Sequence, residues 1–236
     1  MGMSWAASGG RRGSAVLLHG MTASAATWWR IGPAVAALGL DTSAPDLPGH
    51  GRGPRLTGPV DLDTFVDQVG ALLPSDGADL LVGHSLGAMV ALSLVARRPG
   101  VTRALVLEDP PVYRAETHQQ LAGVITRDAA LAVRDRASLT RRFRSENPDW
   151  ADEDVRHAVD GVAIVDAPAV SATLLRQPSW DLAAMLALTD VPVLLFGPAH
   201  VPGAVDLGGG HCPHRSRSQA WLQSFAAFTD TVLPRR

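Results

Sequence analysis

Lysine is absent from this chain: all 21 basic side chains are arginines. That removes a P-loop, Schiff-base chemistry and a Ser-x-x-Lys mechanism at once, because each needs a lysine amine. Cysteine is almost as scarce. Cys212 stands alone, so no intramolecular disulfide can form and no Cys-His cluster exists for structural zinc. Charge of one sign is nowhere concentrated: 21 bases stand against 23 acids, for a formal net charge of −2. Mixed along the chain, these charges leave no basic face for nucleic acid. Long apolar runs are missing as well. The longest apolar helix, around Leu86 to Ala96, is too short to cross a bilayer and is bracketed by Gly87 and Arg97. Arg11 and Arg12 have no apolar run close enough to form a secretory signal, so the expectation is a cytoplasmic protein without a transmembrane span.

What remains suits one compact domain. At 236 residues and 46% hydrophobic, the chain can bury a sizeable core and carry an inserted lid. Short β-rich runs alternate with helical ones: Ala15 to Leu18, the stretch near Thr42, Leu80 to Val82, Ala104 to Leu107 and Val191 to Phe196. Such alternation predicts a parallel sheet covered by helices on both faces, an α/β fold. Met3 to Ala6 is expected to add an edge strand, and Ala204 to Leu207 a last one. Between Pro111 and Pro178 the strand pattern gives way to helical spacing, as in Leu121, Val124 and Ile125 and later Val155, Val159 and Val162. Residues 111–178 are therefore expected to form a helical lid, opened by Pro110-Pro111 and closed by Gln177-Pro178-Ser179, with residues 1–110 and 179–236 as the core.

Gly83-His84-Ser85-Leu86-Gly87 fits the G-x-S-x-G nucleophile elbow. The short apolar strand Asp79 to Val82 precedes it, and an apolar run rich in helix formers follows, which is the context the motif requires. Small residues flank the serine because the turn is tight and the helix packs close against the strand. Ser85 is the candidate nucleophile.

Together with three further motifs in order, the chain resembles the α/β-hydrolase superfamily, and its small, lidded, esterase-like and thioesterase-like bacterial members in particular. Those motifs are Leu18-His19-Gly20, Asp46-Leu47-Pro48-Gly49-His50-Gly51, and Gly209-Gly210-His211 near the end. The resemblance implies that His211 acts as general base toward Ser85 and then as general acid. It implies an oxyanion hole from the backbone N–H groups of Met21 and Leu86, and neither cofactor nor metal. Cys212 reads as a packed neighbour and the Asp46 to Gly51 segment as a structural loop near the pocket.

The acid departs from the family pattern. Relatives usually place it a few residues beyond the penultimate strand, where this chain reads Gly197-Pro198-Ala199-His200. Asp109, directly after Leu105-Val106-Leu107-Glu108, resembles a variant whose acid ends that earlier strand. Glu108 is the alternative, pointing to the opposite face if the strand continues. Asp206 is a third candidate, and a Ser-His dyad a fourth account. An Asp-Pro pair that merely ends a strand is the structural alternative for Asp109.

His19, Gly20, Trp28 and Trp29, with Leu121, Ile125, Phe143 and Trp150 of the lid, are expected around an apolar substrate pocket, although core packing would explain each tryptophan equally well. Arg141, Arg142 and Arg144 either meet a carboxylate or carrier phosphate or form a solvated helix face. The expected activity is that of a serine hydrolase acting on an ester, thioester or lactone of apolar acyl or ring character. The competing reading is a non-hydrolytic protein of the same fold, a cyclase or a small-molecule binder. Neither nucleic acid nor membrane is expected as a partner, and oligomeric state is not legible.

Overall fold

A computed structural model describes residues 2–8, 10–111, 115–177 and 181–234. Strand β1 (Met3–Trp5) lies at one edge and pairs antiparallel with β3 (Leu40–Ala44), so Met3 faces Ala44. Inward from it run β2 (Gly13–Leu18), β4 (Ala78–His84), β5 (Thr102–Glu108) and β6 (Val193–Phe196), giving the order β1-β3-β2-β4-β5-β6. All contacts beyond β1 are parallel.

The two faces of this sheet follow from the period of two along each strand. Leu81, Leu105 and Leu107 point to one side, where α2 (Leu62–Leu72), α3 (Leu86–Arg97) and α8 (Leu182–Ala187) bring Phe65, Met89 and Leu182 against them. Leu80, Val82, Ala104 and Val106 point to the other. There α1 (Ile31–Ala37) and α10 (Ser218–Val232) supply Ile31, Val35, Trp221 and Phe225. With both faces covered, the central strands are apolar at nearly every position, which is why they read as continuous runs.

Between β5 and α8 lie α4 (Ala115–Arg134), α5 (Arg136–Glu146), α6 (Asp152–Ile164) and α7 (Ala167–Arg176). These form the inserted helical region. Its own apolar stripes close two small cores, one around Ile125, Val170 and Leu174 and another around Leu139, Val155 and Val159. Pro178 and Ser179, the expected close of this insertion, lie outside the described residues.

One strand expectation is corrected. Ala204 to Leu207 forms no strand; a single parallel bridge joins Val205 to Phe196. The reason is local: Asp206 turns its carboxylate onto the amides of Ala199 (3.2 Å) and Gly208 (2.8 Å), so the segment is held by turns and not by a ladder. The chain then runs straight to His211 and the short α9 (Pro213–Ser216).

Candidate active site

Strand register sets the site. His84 pairs with Glu108, and Glu108 with Phe196, so Ser85 and Asp109 leave adjacent strands at the same level of the sheet. Both are anchored by their own amides, Ser85 to the Glu108 carbonyl (2.9 Å) and Asp109 to the Phe196 carbonyl (2.8 Å). Both are also bent into the left-handed region, Ser85 with φ 51° and Asp109 with φ 42°. Of the described non-glycine residues, Thr22 alone shares that property, at φ 60°, and it lines the same cavity as Ser85. Backbone conformations this unfavourable persist only where surrounding structure enforces them, and they gather at functional sites.

The elbow explains its glycines. A Cβ on Gly83 would come within 2.4 Å of the Gly87 carbonyl carbon, and one on Gly87 within 2.3 Å of the Leu18 carbonyl oxygen. Gly20 is equally confined, since a Cβ there would fall 2.5 Å from His84 Nδ1 and 3.2 Å from Ser85 Cβ. Leu86 opens α3, so its amide belongs to the helix's first turn, whose N–H groups have no intrahelical acceptor. Met21 lines the cavity in front of Ser85.

His211 comes to the same cavity as Ser85 from the far end of the chain. Its Nδ1 lies 2.5 Å from Asp109 Oδ2, which leaves Nε2 as the ring nitrogen not facing Asp109. Ser85 and His211 line one cavity of about 270 Å³. His84, the variable residue inside the elbow motif, supports this histidine from below: its Nε2 donates to the His211 carbonyl at 2.9 Å, and the rings lie 4.7 Å apart. Burial, and then the neighbouring His211, hold the His84 imidazole well below its usual range, so it serves as a neutral donor.

Beneath lies a second imidazole–carboxylate pair. Glu108, fully buried, meets His214 Nδ1 at 2.7 Å, accepts the His214 amide at 3.1 Å and accepts Trp221 Nε1 at 3.1 Å. Thr27 Oγ1 lies 2.8 Å from His214 Nε2 and accepts from Arg215 Nε (3.1 Å) and Nη2 (2.7 Å). A neutral His214, protonated on Nδ1, satisfies every one of these contacts. Burial favours that state by lowering the His214 imidazole, and it raises the Glu108 carboxyl.

The other expected positions separate clearly. For Trp28 and Trp29 the sequence offers pocket lining and core packing equally, and neither lines the cavity that Ser85 lines. They sit at the end of a 3-10 turn (Ala25–Trp28) that packs Trp28, with no exposed surface, against His214 and Trp221. Trp29 donates Nε1 to Asp154 at 2.8 Å. His19 is also inside, its Nε2 accepting the Leu47 amide at 3.0 Å, and so ties β2 to the Asp46–Gly51 loop without lining the cavity. Asp46 braces that loop by accepting from Ala25 and Arg52 amides. Leu121, Ile125, Phe143 and Trp150 of the insertion do line the cavity, as do Val124 and Val162. The arginines are engaged within the insertion: Arg142 with Asp128, Arg144 with Asp152 and Arg141 with Ser138. Asp206 serves its own turn, as described, and His200 is exposed. Cys212 packs 3.7 Å from His84, and burial pushes its thiol up to about 12, so it stays protonated.

Comparison with known proteins identifies the fold. The model of the alpha/beta hydrolase fold matches residues 16–126. A pimeloyl-[acyl-carrier protein] methyl ester esterase of Neisseria meningitidis is 32% identical over 247 aligned positions, which take in 92% of this chain and 77% of that protein. The chain belongs to the α/β-hydrolase fold family. Lipase LipV of Mycobacterium tuberculosis is 37% identical over 140 residues. Against the first curated relatives, this α/β-hydrolase-fold chain spans about half of their length or less, 51%, 38% and 40%. An N-formylmaleamic acid deformylase of Pseudomonas putida superposes with a TM-score of 0.76 at 21% identity, covering 95% of this chain and 94% of that one, and shares the fold. Among the described residues of this α/β-hydrolase-fold protein, no single helix is long and apolar enough to cross a membrane.

Proposed function

We propose that the protein is a serine hydrolase that cleaves esters, thioesters or lactones through an acyl-enzyme on Ser85. The observation that carries the reading is that His211, which lines one cavity with Ser85, is paired with Asp109. In this account His211 Nε2 takes the proton of Ser85 Oγ as the oxygen attacks the substrate carbonyl carbon. The resulting oxyanion rests on the Met21 and Leu86 amides, each worth on the order of 3 kcal/mol in the transition state. His211 then protonates the departing oxygen or sulfur, and in the second half-reaction it draws a proton from the water that releases the acid. Asp109 fixes the imidazole tautomer and steadies the imidazolium.

We assign residues 111–178 as the lid. Leu121, Val124, Ile125, Phe143 and Trp150 give the cavity an apolar wall, which suits an acyl chain or ring. The relatives, a methyl ester esterase and a lipase, support the same class. A cyclase or binder would fit a chain with no acid after Phe196; the contact between Asp109 and His211 supports the hydrolase instead.

A fluorophosphonate probe tests the proposal. Wild type is expected to label rapidly and Ser85→Ala not at all, with Ser85→Ala losing on the order of 8 kcal/mol of transition-state stabilisation toward p-nitrophenyl esters of graded chain length. A wild-type protein inert to the probe and to every ester would assign the fold to a binder.

A further inference from the structure

Among the described residues, Arg215 is a buried cation without a counter-ion. It is 5% exposed and lines the cavity together with Ser85 and His211. Among the described residues its hydrogen bonds are those to Thr27 Oγ1, which leaves the Nη1 donors and one Nη2 donor unassigned, and it forms no ion pair. Its guanidinium carbon lies 4.4 Å from the centre of the Trp150 ring, which holds the fork against one wall of the cavity. The nearby carboxylates are committed elsewhere. Asp128, the acid lining the same cavity, is paired with Arg142 at 2.6 Å, and Asp154 holds Trp29 and Arg30.

Burying an unpaired charge is costly, and a neutral side chain would bridge Thr27 and Trp150 without that cost. Resting on the serine-hydrolase reading of this cavity, we propose that Arg215 binds a carboxylate carried by the substrate, so the preferred ester is a monoanion with an apolar body. A single guanidinium balances one negative charge, and its planar donors match the two oxygens of a carboxylate. Placement favours selection near the chemistry, because Arg215 follows His211 by four positions on the short helix α9. Arg215 is thus a specificity residue for the acyl or leaving portion of the substrate.

Two measurements test this. In Ser85→Ala protein, calorimetry is expected to show methyl hydrogen adipate binding at least about 30-fold more tightly than dimethyl adipate, and the difference to vanish when Arg215→Gln is added. In turnover, the kcat/KM ratio of mono-4-nitrophenyl adipate over its methyl ester, with succinate and glutarate homologues to vary the reach, is expected to fall about 30-fold in Arg215→Gln, mostly through KM. Arg215→Lys, which keeps the charge, is expected to restore part of the ratio.

Equal affinity of both probes for the unsubstituted cavity overturns the assignment. So does an Arg215→Gln loss that is the same for anionic and neutral esters, which would make the side chain a structural brace. Vigorous turnover with no anion preference leaves the hydrolase reading standing and sinks this one; Arg215-dependent binding without any turnover does the reverse.

Discussion

Glu108 and Asp109 are neighbours in the chain, and each holds a different histidine. Glu108 ends β5 facing inward and meets His214, whereas Asp109, turned by its positive φ, meets His211 at the cavity. The alternation of a strand and the twist of one residue thus divide two adjacent carboxylates between a buried brace and a partly exposed partner, 28% accessible at its side chain. The two pairs converge, because His84 touches both imidazoles, 4.7 Å from His211 and 5.1 Å from His214.

This division predicts different outcomes for two isosteric changes. Asp109→Asn is expected to lower kcat on the order of 10³-fold with little change in KM or thermal midpoint, since the amide no longer steadies the imidazolium. Glu108→Gln is expected to lower the midpoint, because the two oxygens of Glu108 face three donors and an amide nitrogen can accept from none of them, while costing less than about tenfold in kcat, because its partner is His214 and not His211. Steady-state kinetics alongside thermal melts decide it. A larger kinetic loss at Glu108 would reverse the assignment.

Acid stability should depend on His19. Burial lowers its imidazole to about 4, and its Nε2 accepts the Leu47 amide while Nδ1 meets the Gly20 carbonyl at 2.8 Å, leaving no site for a second proton. The folded state therefore binds fewer protons than the unfolded chain between about 6.5 and 4. Its contribution is complete above 6.5 and is lost as pH falls toward 4, about 3 kcal/mol over the full span. Glu108, raised by burial, acts in the opposite direction, its contribution present below its ordinary range and lost as pH rises. The readout is consequently a difference. His19→Gln is expected to be less stable at pH 7 and to show a smaller drop in urea midpoint between pH 7 and 4.5 than wild type; parallel curves would remove His19 as the cause.

Three glycines of similar appearance should respond differently to alanine. Gly83→Ala and Gly87→Ala force a methyl onto backbone atoms at 2.4 and 2.3 Å, so each is expected to destabilise by about 3 kcal/mol or to abolish soluble expression. Gly123, inside α4, has nothing within 4 Å of the added carbon, and Gly123→Ala is expected to stabilise by about 0.5–1 kcal/mol through helix propensity and the entropy of the unfolded chain. Urea unfolding of the set checks the contrast.

Much of this arrangement could be read from short stretches of sequence. Strands β2, β4 and β5 carry apolar runs because both sheet faces are covered, and the elbow is legible because its glycines answer to contacts within the motif and with one adjacent strand. Even the placement of Asp109 after β5 follows from local order. Ala204 to Leu207 misled for a local reason as well: its alternation suggests a strand, but Asp206 prefers the amides of its own turn.

By itself, then, the sequence determined the parallel sheet, the helical insertion and the elbow at Ser85, since these depend on periodicity and on turns a few residues long, and it left open which of Asp109, Glu108 and Asp206 meets His211. Only the tertiary structure decided which way Trp28 faces, that Glu108 and Asp109 divide two histidines between them, and that Arg215 has no counter-ion among the described residues. Those outcomes rest on partners far apart in the chain, 106 residues between Glu108 and His214 and 188 between Thr27 and Arg215. Burial and the pairing of charge are properties of the packed neighbourhood, and no local pattern encodes them.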